Sequence, residues 1–304
     1  MIVMLTFSIL ADGLAAWKTE KKINPNGGLL KGIRLGSPEQ KAGYACLAQE
    51  GEDVVCSSGQ DRIRIIGVML ADVFNVVSAL QEKLQNWQAD LDNCLERGGS
   101  LTELLRLSEP VLKNPIFVVD QREIVYAMTD HPPGTVHAEW DYMRRFGRMP
   151  FPRVSAIYQE SDFKNIRRAS EYDGEPFIFQ PPGLNYRGIN YRIPDPLADS
   201  ILSILVIIEN ETPITEGMIH LSRTLNRAVV RWTRLHSDEH GMKNISHLFT
   251  DFLDGTIIDD DEINMNKALN NLNHDHYILA AIPAGNGRRL QYLAPALECE
   301  LGRS

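Results

Sequence analysis

The sequence has little of what would mark a metalloprotein, a disulfide-rich protein or a membrane protein. Its 304 residues include only four cysteines, far apart and without a CxxC pair, so neither a zinc site nor a disulfide framework is expected. Reduced thiols are typical of the cytoplasm. No segment reaches the roughly 18 consecutive apolar residues of a transmembrane helix. A net charge of −9 at pH 7 argues against a broad basic surface for nucleic acid. We therefore expect a cytoplasmic protein without membrane contact.

Catalytic signatures are also missing. Residues 285–289 lack the ending of a phosphate-binding loop, and residues 57–59 lack the GxSxG frame. The acidic run at 259–262 lacks the spacing of a calcium loop, and His274 and His276 are too close in sequence to converge on one metal. We interpret Cys56 as a structural cysteine, with a reactive thiol as the alternative. No nucleophile–base pair can be named, so we predict no enzymatic activity, no metal and no cofactor.

The first 68 residues are predicted to form a small α/β unit. Residues 1–17 are apolar enough to resemble a signal peptide, but no Lys or Arg precedes the apolar run and Asp12-Gly13 interrupts it. A core-facing helix is favoured instead, because one helical face carries Phe7, Leu10, Leu14 and Trp17. Short strands are then predicted at residues 30–35, 44–48, 53–56 and 62–66.

A long helix is predicted for the second region, residues 69–98. Its apolar residues recur at alternating steps of three and four, the heptad spacing of a helix that packs lengthwise on another helix. We call these eight residues the heptad stripe: Leu70, Val73, Val77, Leu80, Leu84, Trp87, Leu91 and Cys94. From Gln81 onward the other positions are nearly all polar, which favours a homodimer contact through Leu80, Leu84, Trp87 and Leu91. The bulk of Trp87 favours the alternative, packing within the chain.

Residues 99–236 are predicted to form one α+β domain. The pattern predicts helices over residues 101–112 and 136–146 and strands over residues 116–120, 124–128, 177–180, 186–193 and 200–208. A long exit helix is predicted to begin with Thr212 as N-cap and Pro213 at its first position, and to run to about Leu235. This order of elements resembles a GAF- or PAS-like sensory domain. The resemblance implies a small ligand, or none, between sheet and helices, with the signal passing to a flanking helix.

Two groups of arginines lie in this region. Arginine pairs bidentately with carboxylates, and aromatic rings cover an apolar ligand body. We therefore predict a site for an anionic metabolite at Trp140, Arg144, Arg145, Arg148 and Arg153. A second group at helical spacing comprises Arg223, Arg227, Arg231 and Arg234. We interpret this stripe as solvated or dimer-facing, with phosphate or nucleic-acid binding as the alternative.

Residues 237–304 are predicted to hold only part of an α/β domain. An apolar helix pattern ends at Asp254-Gly255, an acidic helix start follows at residues 259–262, and a strand is predicted over residues 276–282. One strand among three helices gives too little sheet to close a core. We expect either a truncated domain or a sheet completed by a partner.

These features together resemble the PucR/CdaR family of transcriptional regulators. Residues 248–255, the acidic run at 259–262, Leu269, Leu272 and the strand at 276–282 resemble the opening of their GGDEF-like middle domain. Residues 104–128, with Asn114-Pro115, and the segment from Trp140 to Gly147 resemble their sensory part. The GGDEF signature itself is absent, which argues against cyclic-dinucleotide synthesis.

The resemblance implies the ligand-sensing, dimerising portion of a cytoplasmic transcriptional regulator that couples a small anionic metabolite to a DNA-binding output. Members of the family bind DNA through a C-terminal helix-turn-helix that this sequence does not contain, so DNA contact is expected only through residues absent from the chain. The alternative is a stand-alone scaffold protein with a GAF/PAS-like fold and no small ligand. The expected fold class is α+β: the small N-terminal unit, the connecting helix, the sensory domain and the partial C-terminal domain.

Overall fold

The computed structural model describes residues 5–24, 27–36, 43–120, 124–150, 174–180, 187–196 and 201–236. Within these ranges the chain has a mixed α+β fold, as predicted, with two five-stranded sheets. The predicted fourth region, residues 237–304, lies outside the described residues, together with the candidate motifs at 259–262, 274–276 and 285–289. Among the described helices, none is both long and apolar enough to cross a bilayer.

The first sheet belongs to the N-terminal unit. Its elements are α1 (Phe7–Gly13), β1 (Thr19–Lys22), β2 (Gly32–Leu35), β3 (Tyr44–Glu50), β4 (Asp53–Ser58) and β5 (Asp61–Ile65). The strand order is β1-β5-β4-β3-β2, antiparallel except that β2 runs parallel to β3. The side chain of Thr6 caps α1 by accepting a hydrogen bond from the Ile9 amide. Phe7, Leu10 and Leu14 are buried, which confirms the predicted core-facing helix.

Strand β1 is the element of this unit that the sequence did not predict. It reads Thr-Glu-Lys-Lys, and most of its side chains are exposed. The strand pairs with β5 at the edge of the sheet, with Lys22 opposite Arg62. Charged residues are common on edge strands because they discourage pairing with other chains. Backbone hydrogen bonds to β5 hold this strand in the sheet, so its sequence needs no alternation of apolar and polar residues.

Two helices connect the sheets. The first, α2 (Leu70–Glu96), is followed by α3 (Leu101–Leu112). The turn between them contains Gly98 at a φ of +69°, a left-handed conformation that glycine adopts without steric cost. Ser100 then caps α3 by accepting a hydrogen bond from the Glu103 amide at 3.2 Å. The predicted bounds of both helices are confirmed to within two residues.

The heptad stripe is buried within a single chain. Trp87 and Leu84 are each 4% exposed and Leu91 is fully buried, while α2 packs against α1, α3 and the exit helix. The indole Nε1 of Trp87 donates a hydrogen bond to Ser108 Oγ on α3 at 3.2 Å. Leu80 is partly buried against the same core. The dimer contact predicted through Leu80, Leu84, Trp87 and Leu91 is therefore corrected, because neighbouring helices of the same chain already occupy this stripe.

The second sheet belongs to the region of residues 99–236. Its elements are β6 (Ile116–Asp120), β7 (Val125–Met128), α4 (Ala138–Phe146), β8 (Phe177–Phe179), β9 (Gly188–Pro194), β10 (Ile201–Ile208) and the exit helix α5 (Glu216–Leu235). The strand order is β7-β6-β10-β9-β8, and every pairing is antiparallel. One continuous hydrophobic core joins both sheets through α2, α3 and α5. The predicted regions 1–68, 69–98 and 99–236 therefore share a core.

The exit helix begins three residues later than predicted. Its N-cap is Thr215, whose hydroxyl accepts a hydrogen bond from the Met218 amide at 3.0 Å. Thr212, the predicted cap, instead donates its own amide to Asn114 Oδ1 at 3.1 Å. The same oxygen accepts the amides of Asn210 and Glu211. The carboxamide of Asn114 thus holds the β10–α5 loop out of the helix.

A second side chain, Glu209, ties the same loop to the sheet. It pairs with Arg187 through two hydrogen bonds of 2.7 and 3.0 Å and accepts the Ile214 amide at 2.6 Å. The bonds from Arg187 lower the pKa of Glu209; its partial burial opposes them, and the Ile214 amide adds to the lowering. A carboxylate with a lowered pKa stabilises the fold above its unfolded pKa, and this contribution is lost as the pH falls.

We expect Glu209→Gln to lower the free energy of unfolding at pH 7 by up to about 1 kcal/mol, because the ion pair is partly exposed to solvent. The difference between wild type and variant should shrink once the pH falls below the usual pKa of a glutamate, about 4.3. Urea unfolding at pH 7 and pH 3 measures it. An equal difference at both pH values would contradict the assigned role of the charge.

Candidate functional site

The two faces of the second sheet are covered differently. On one face, Leu205 and Ile207 of the central strand β10 are fully buried in the core that includes α3 and α5. Helix α4 packs on the other face, which we call the α4 face. The register places two rows of side chains there: Met128, Phe117, Val206, Asn190 and Phe177 in one, and Val125, Val119, Ile204 and Arg192 in the next.

Helix α4 packs on this face over β6 and also contacts side chains of β7 and β10. Phe117 and Val119 are buried in a cluster with Trp140 and Met143 of the helix. Further across the sheet, the side chains of Ile204, Val206 and Phe177 are only partly buried. Apolar side chains of a central strand thus keep some exposure beside α4. Ile204, Val206 and Phe177 together form an apolar surface, which we call the floor, on which a small molecule can lie.

A buried arginine stands beside this floor. Arg192 is 6% exposed, and its guanidinium carbon lies 4.4 Å from the ring centroid of Phe177. Its neighbour on the same face, Asn190, donates to the carbonyl of Gly188 at 2.9 Å. A guanidinium stays charged even when buried, and its five donors match the geometry of a carboxylate. Arg192 therefore gives the α4 face a desolvated positive charge suited to a carboxylate.

The indole of Trp140 lies on the other side of the floor. The ring is fully buried and makes edge contacts with Phe117 and His131 at centroid distances of 6.0 and 5.4 Å. Its Nε1–H is buried without a hydrogen-bond partner. Buried donors without acceptors are uncommon in native proteins and cost about 1–3 kcal/mol. A ligand with an acceptor group would remove that cost.

The predicted arginine cluster does not converge on Trp140. Trp140 points into the core, whereas Arg144 binds the His131 carbonyl at 2.5 Å and Asp130 at 3.2 Å. Arg145 is exposed and lies over the ring of Phe146. The backbone of Arg148 forms a β-bridge with Ile124, and Arg153 lies outside the described residues. For Trp140, Arg144, Arg145 and Arg148 the prediction of one shared pocket is corrected, since closeness in sequence did not bring these groups to one surface.

A histidine, a threonine and a glutamate next to α4 match the composition of a hydrolytic triad but not its geometry. His131 Nε2 lies 3.1 Å from Thr129 Oγ1 and 3.2 Å from Glu109 Oε1. A triad needs the hydroxyl and the carboxylate on opposite ring nitrogens, whereas here both contact the same nitrogen. Partial burial raises the pKa of Glu109, and His131 opposes this. The cluster is a hydrogen-bond network and not a nucleophile–base pair.

The remaining candidates in the described part of the chain are Cys56 and the arginine stripe of the exit helix. Cys56 is fully buried, and its burial, reinforced by Cys46, raises the pKa of its thiol to about 12. Such a thiol is protonated at neutral pH and unreactive. Two members of the arginine stripe form ion pairs within the chain, Arg223 with Glu175 at 2.6 Å and Arg231 with Asp92 at 3.3 Å. Within the described ranges, no group of three or more His, Cys, Asp or Glu side chains is placed to hold a metal ion.

No family model matches the chain, and no curated protein matches it significantly. The resemblance to PucR/CdaR regulators therefore rests on sequence features alone.

Proposed function

We propose that this chain is the ligand-sensing portion of a cytoplasmic transcriptional regulator, and that a small anionic metabolite binds on the α4 face. The observation that carries the proposal is the buried Arg192 beside the partly exposed apolar side chains of Ile204 and Val206. The element order of hairpin, helix, three strands and exit helix supports the GAF/PAS-like part of the proposal.

The geometry favours a ligand with a carboxylate at one end and an apolar or ring-shaped body. Arg192 on β9 carries the positive charge, and Trp140, packed over Phe117 on β6, offers a neutral N–H. Strands β9 and β6 both neighbour β10, so two strand spacings, roughly 10 Å in total, separate them. A molecule of six to ten heavy atoms would cover the floor between these groups.

The opposite face of the sheet contacts the exit helix α5, so a change in the sheet can reach this helix. Tyr191, next to Arg192 in sequence, points to the other side of β9, and its hydroxyl lies 2.8 Å from Ser222 Oγ on α5. Helix α5 is also tied to the N-terminal unit by a 2.8 Å hydrogen bond between His220 Nδ1 and Thr6 Oγ1. A ligand that favours one position of β9 would shift the population of α5 positions through these contacts.

The output itself is proposed from the resemblance. DNA binding would belong to residues absent from this chain, and a homodimer would use surfaces other than the buried heptad stripe. Light scattering at several protein concentrations measures the oligomeric state directly, and a monomer throughout would remove the homodimer from the proposal.

The ligand is sought by thermal-shift screening of sugar diacids, aromatic acids and purine-pathway intermediates against the wild type, Arg192→Lys, Arg192→Gln and Arg145→Gln. We expect at least one carboxylate to raise the melting temperature of the wild type. Arg192→Lys keeps the charge but loses bidentate pairing, so its apparent Kd should rise at least tenfold, and Arg192→Gln should abolish the response. Arg145→Gln, an exposed change of equal charge, should respond like the wild type.

Two results would contradict the proposal. A hit that stabilises both Arg192 variants as well as the wild type would place its binding site elsewhere. The absence of any carboxylate response in the wild type would favour the alternative of a scaffold protein without a small ligand. Far-UV circular dichroism of each variant establishes that the fold is retained.

A further inference from the structure

The exit helix α5 contacts α1 of the N-terminal unit at a range that only glycine allows. At Gly217 of α5, a Cβ atom would lie 2.8 Å from the Ser8 carbonyl oxygen of α1 and closer still to Asp12 Oδ2. A carbon atom cannot approach a backbone oxygen so closely without displacing it, so any other residue would push the two helices apart. Gly217 therefore sets how closely α1 and α5 approach.

Each helix contributes its N-cap to this contact. Thr6, the N-cap of α1, has its hydroxyl oxygen 2.8 Å from Nδ1 of His220 on α5. Thr215, the N-cap of α5, donates a hydrogen bond to Asp12 Oδ2 of α1 at 2.5 Å. We call these five residues the cap contact: Thr6, Asp12, Thr215, Gly217 and His220. Because each cap side chain also accepts an amide of its own helix, separation of the helices would disturb both helix starts.

The hydrogen bond between Thr6 and His220 fits a neutral imidazole. The Thr6 oxygen accepts the Ile9 amide at 3.3 Å, which leaves its own proton for Nδ1 and the ring hydrogen on Nε2. A proton gained by the ring would occupy Nδ1, and Thr6 could then no longer donate to it. The added charge would lie where His220 is 7% exposed and Thr6 is 3% exposed, and charge at a desolvated position is costly.

The charges that face His220 come from three parts of the chain. Burial lowers the pKa of its imidazole, and the charge of Arg223 on the same helix lowers it further. The carboxylates that oppose this are Asp12 of α1, Glu216 of α5 and Glu175, which precedes β8. Glu175 is itself paired with Arg223 at 2.6 Å. A histidine whose pKa is lowered on folding stabilises the fold above its unfolded pKa, about 6.5, and this contribution is lost as the pH falls.

The other titratable group of the cap contact, Asp12, responds to acid with the opposite sign. Desolvation against α5 raises the pKa of its carboxyl, while the hydrogen bond from Thr215 and the charges of Lys21 and His220 lower it. The ionised carboxyl therefore costs stability, and its protonation in acid relieves that cost. A loss of the contact on mild acidification is thus assigned to His220.

We propose that the cap contact is an acid-sensitive switch: protonation of His220 separates α1 from the exit helix and frees the start of α5 to move. Protons would then act on α5 directly, without a ligand on the α4 face. The meaning of this movement as a signal rests on the proposed function, in which α5 leads to the output. The contact and its response to pH do not, so each can fail without the other.

Hydrogen–deuterium exchange of the full chain, read by mass spectrometry on peptides covering α1, measures the separation. Protection factors at pH 7.5 and pH 5.5 are compared, because they remove the intrinsic pH dependence of exchange. In the wild type without any ligand, the protection of α1 should fall about fivefold or more at pH 5.5. His220→Asn keeps an acceptor near the position of Nδ1 but cannot gain a proton, so α1 should remain equally protected at both pH values. His236→Asn, the same change at the other end of α5, should keep the wild-type fall.

Gly217→Ala tests the geometry of the contact without any titration. Alanine forms helices better than glycine, so a loss of protection in this variant comes from the added methyl group against Ser8 and Asp12. We expect α1 to be about tenfold less protected than in the wild type at pH 7.5, with little further loss at pH 5.5. Far-UV circular dichroism of each variant establishes that the fold is retained.

Three results would overturn the inference. The first is a wild type in which α1 is equally protected at both pH values, and the second is a His220→Asn protein that shows the wild-type fall. The third is an equal fall in peptides covering β6 and β10, which would mean that acid weakens the whole fold instead of one contact. A Gly217→Ala protein whose α1 is protected like the wild type at pH 7.5 would likewise contradict the close approach on which the switch depends.

Discussion

Asn114→Ala is expected to lower the free energy of unfolding by about 3–5 kcal/mol, more than any other single polar substitution proposed for this chain. The side chain is 1% exposed. Its Oδ1 accepts three backbone amides at 3.0, 3.0 and 3.1 Å, and its Nδ2 donates to the Thr212 carbonyl at 2.9 Å. Alanine would leave these groups without partners where the loop meets the exit helix. Urea unfolding followed by circular dichroism measures the loss.

Two further variants separate the lost hydrogen bonds from a general effect of substitution. Asn114→Asp keeps the accepting oxygen but loses the donor to Thr212, so at pH 7 it should cost less than alanine. Asn86→Ala, at an exposed position on α2, should change stability by no more than about 0.5 kcal/mol. A cost below about 1 kcal/mol for Asn114→Ala would show that the loop is held by other contacts.

Leu91→Ala is expected to cost about 2–5 kcal/mol, because Leu91 is fully buried in the heptad stripe and truncation would leave a cavity between α2 and its neighbours. The unfolding midpoint should not depend on protein concentration, since the side chains that pack around Leu91 belong to the same chain. The matched control on the same helix is Val76→Ala, at a side chain 38% exposed, which should cost far less.

One outcome would support the dimer contact that the heptad spacing predicts. That outcome is a wild-type midpoint that rises with protein concentration, together with a folded and monomeric Leu91→Ala protein. Sedimentation or light scattering of both proteins at the same concentrations provides the comparison.

Local sequence patterns predicted most of the helices and strands but not what packs against them. Hydrophobic spacing gave α3 and β6 with the bounds found in the structure. The heptad stripe likewise predicted α2, yet its spacing indicates only that the helix packs against another helix. Whether that helix belongs to the same chain depends on how the loop at Gly98 directs α3 and on where α5 returns. Neither is encoded in the stripe.

The errors arose where distant residues overrule local preference. Thr212 followed by Pro213 is a favourable helix start, but Asn114, 98 residues away in sequence, binds the Thr212 amide and delays the helix to Glu216. Strand β1 was missed because pairing at a sheet edge needs backbone contacts and no apolar pattern.

The candidate site could be predicted only in its chemistry. The candidate site again combines an arginine with aromatic rings, but at other residues: the sequence pointed to Arg144 and Arg145, which follow Trp140 closely. The structure instead buries Arg192 of β9, which stacks on Phe177 of β8. The predicted bounds of β9 gave no indication of which of its polar side chains would be buried. Burial of a single strand residue depends on its cross-strand neighbours, and these are set by the sheet order.

Carboxylate binding on the α4 face is tested most directly by the indole N–H signals of the four tryptophans. In a ¹H–¹⁵N NMR titration with the carboxylate that gives the largest thermal shift, the Trp140 indole should move most, because it has no partner of its own. Trp232, whose indole donates to the Gly99 carbonyl from α5, should move less, and Trp17 of the N-terminal unit should stay in place. Saturable binding that leaves the Trp140 signal unmoved would contradict the account.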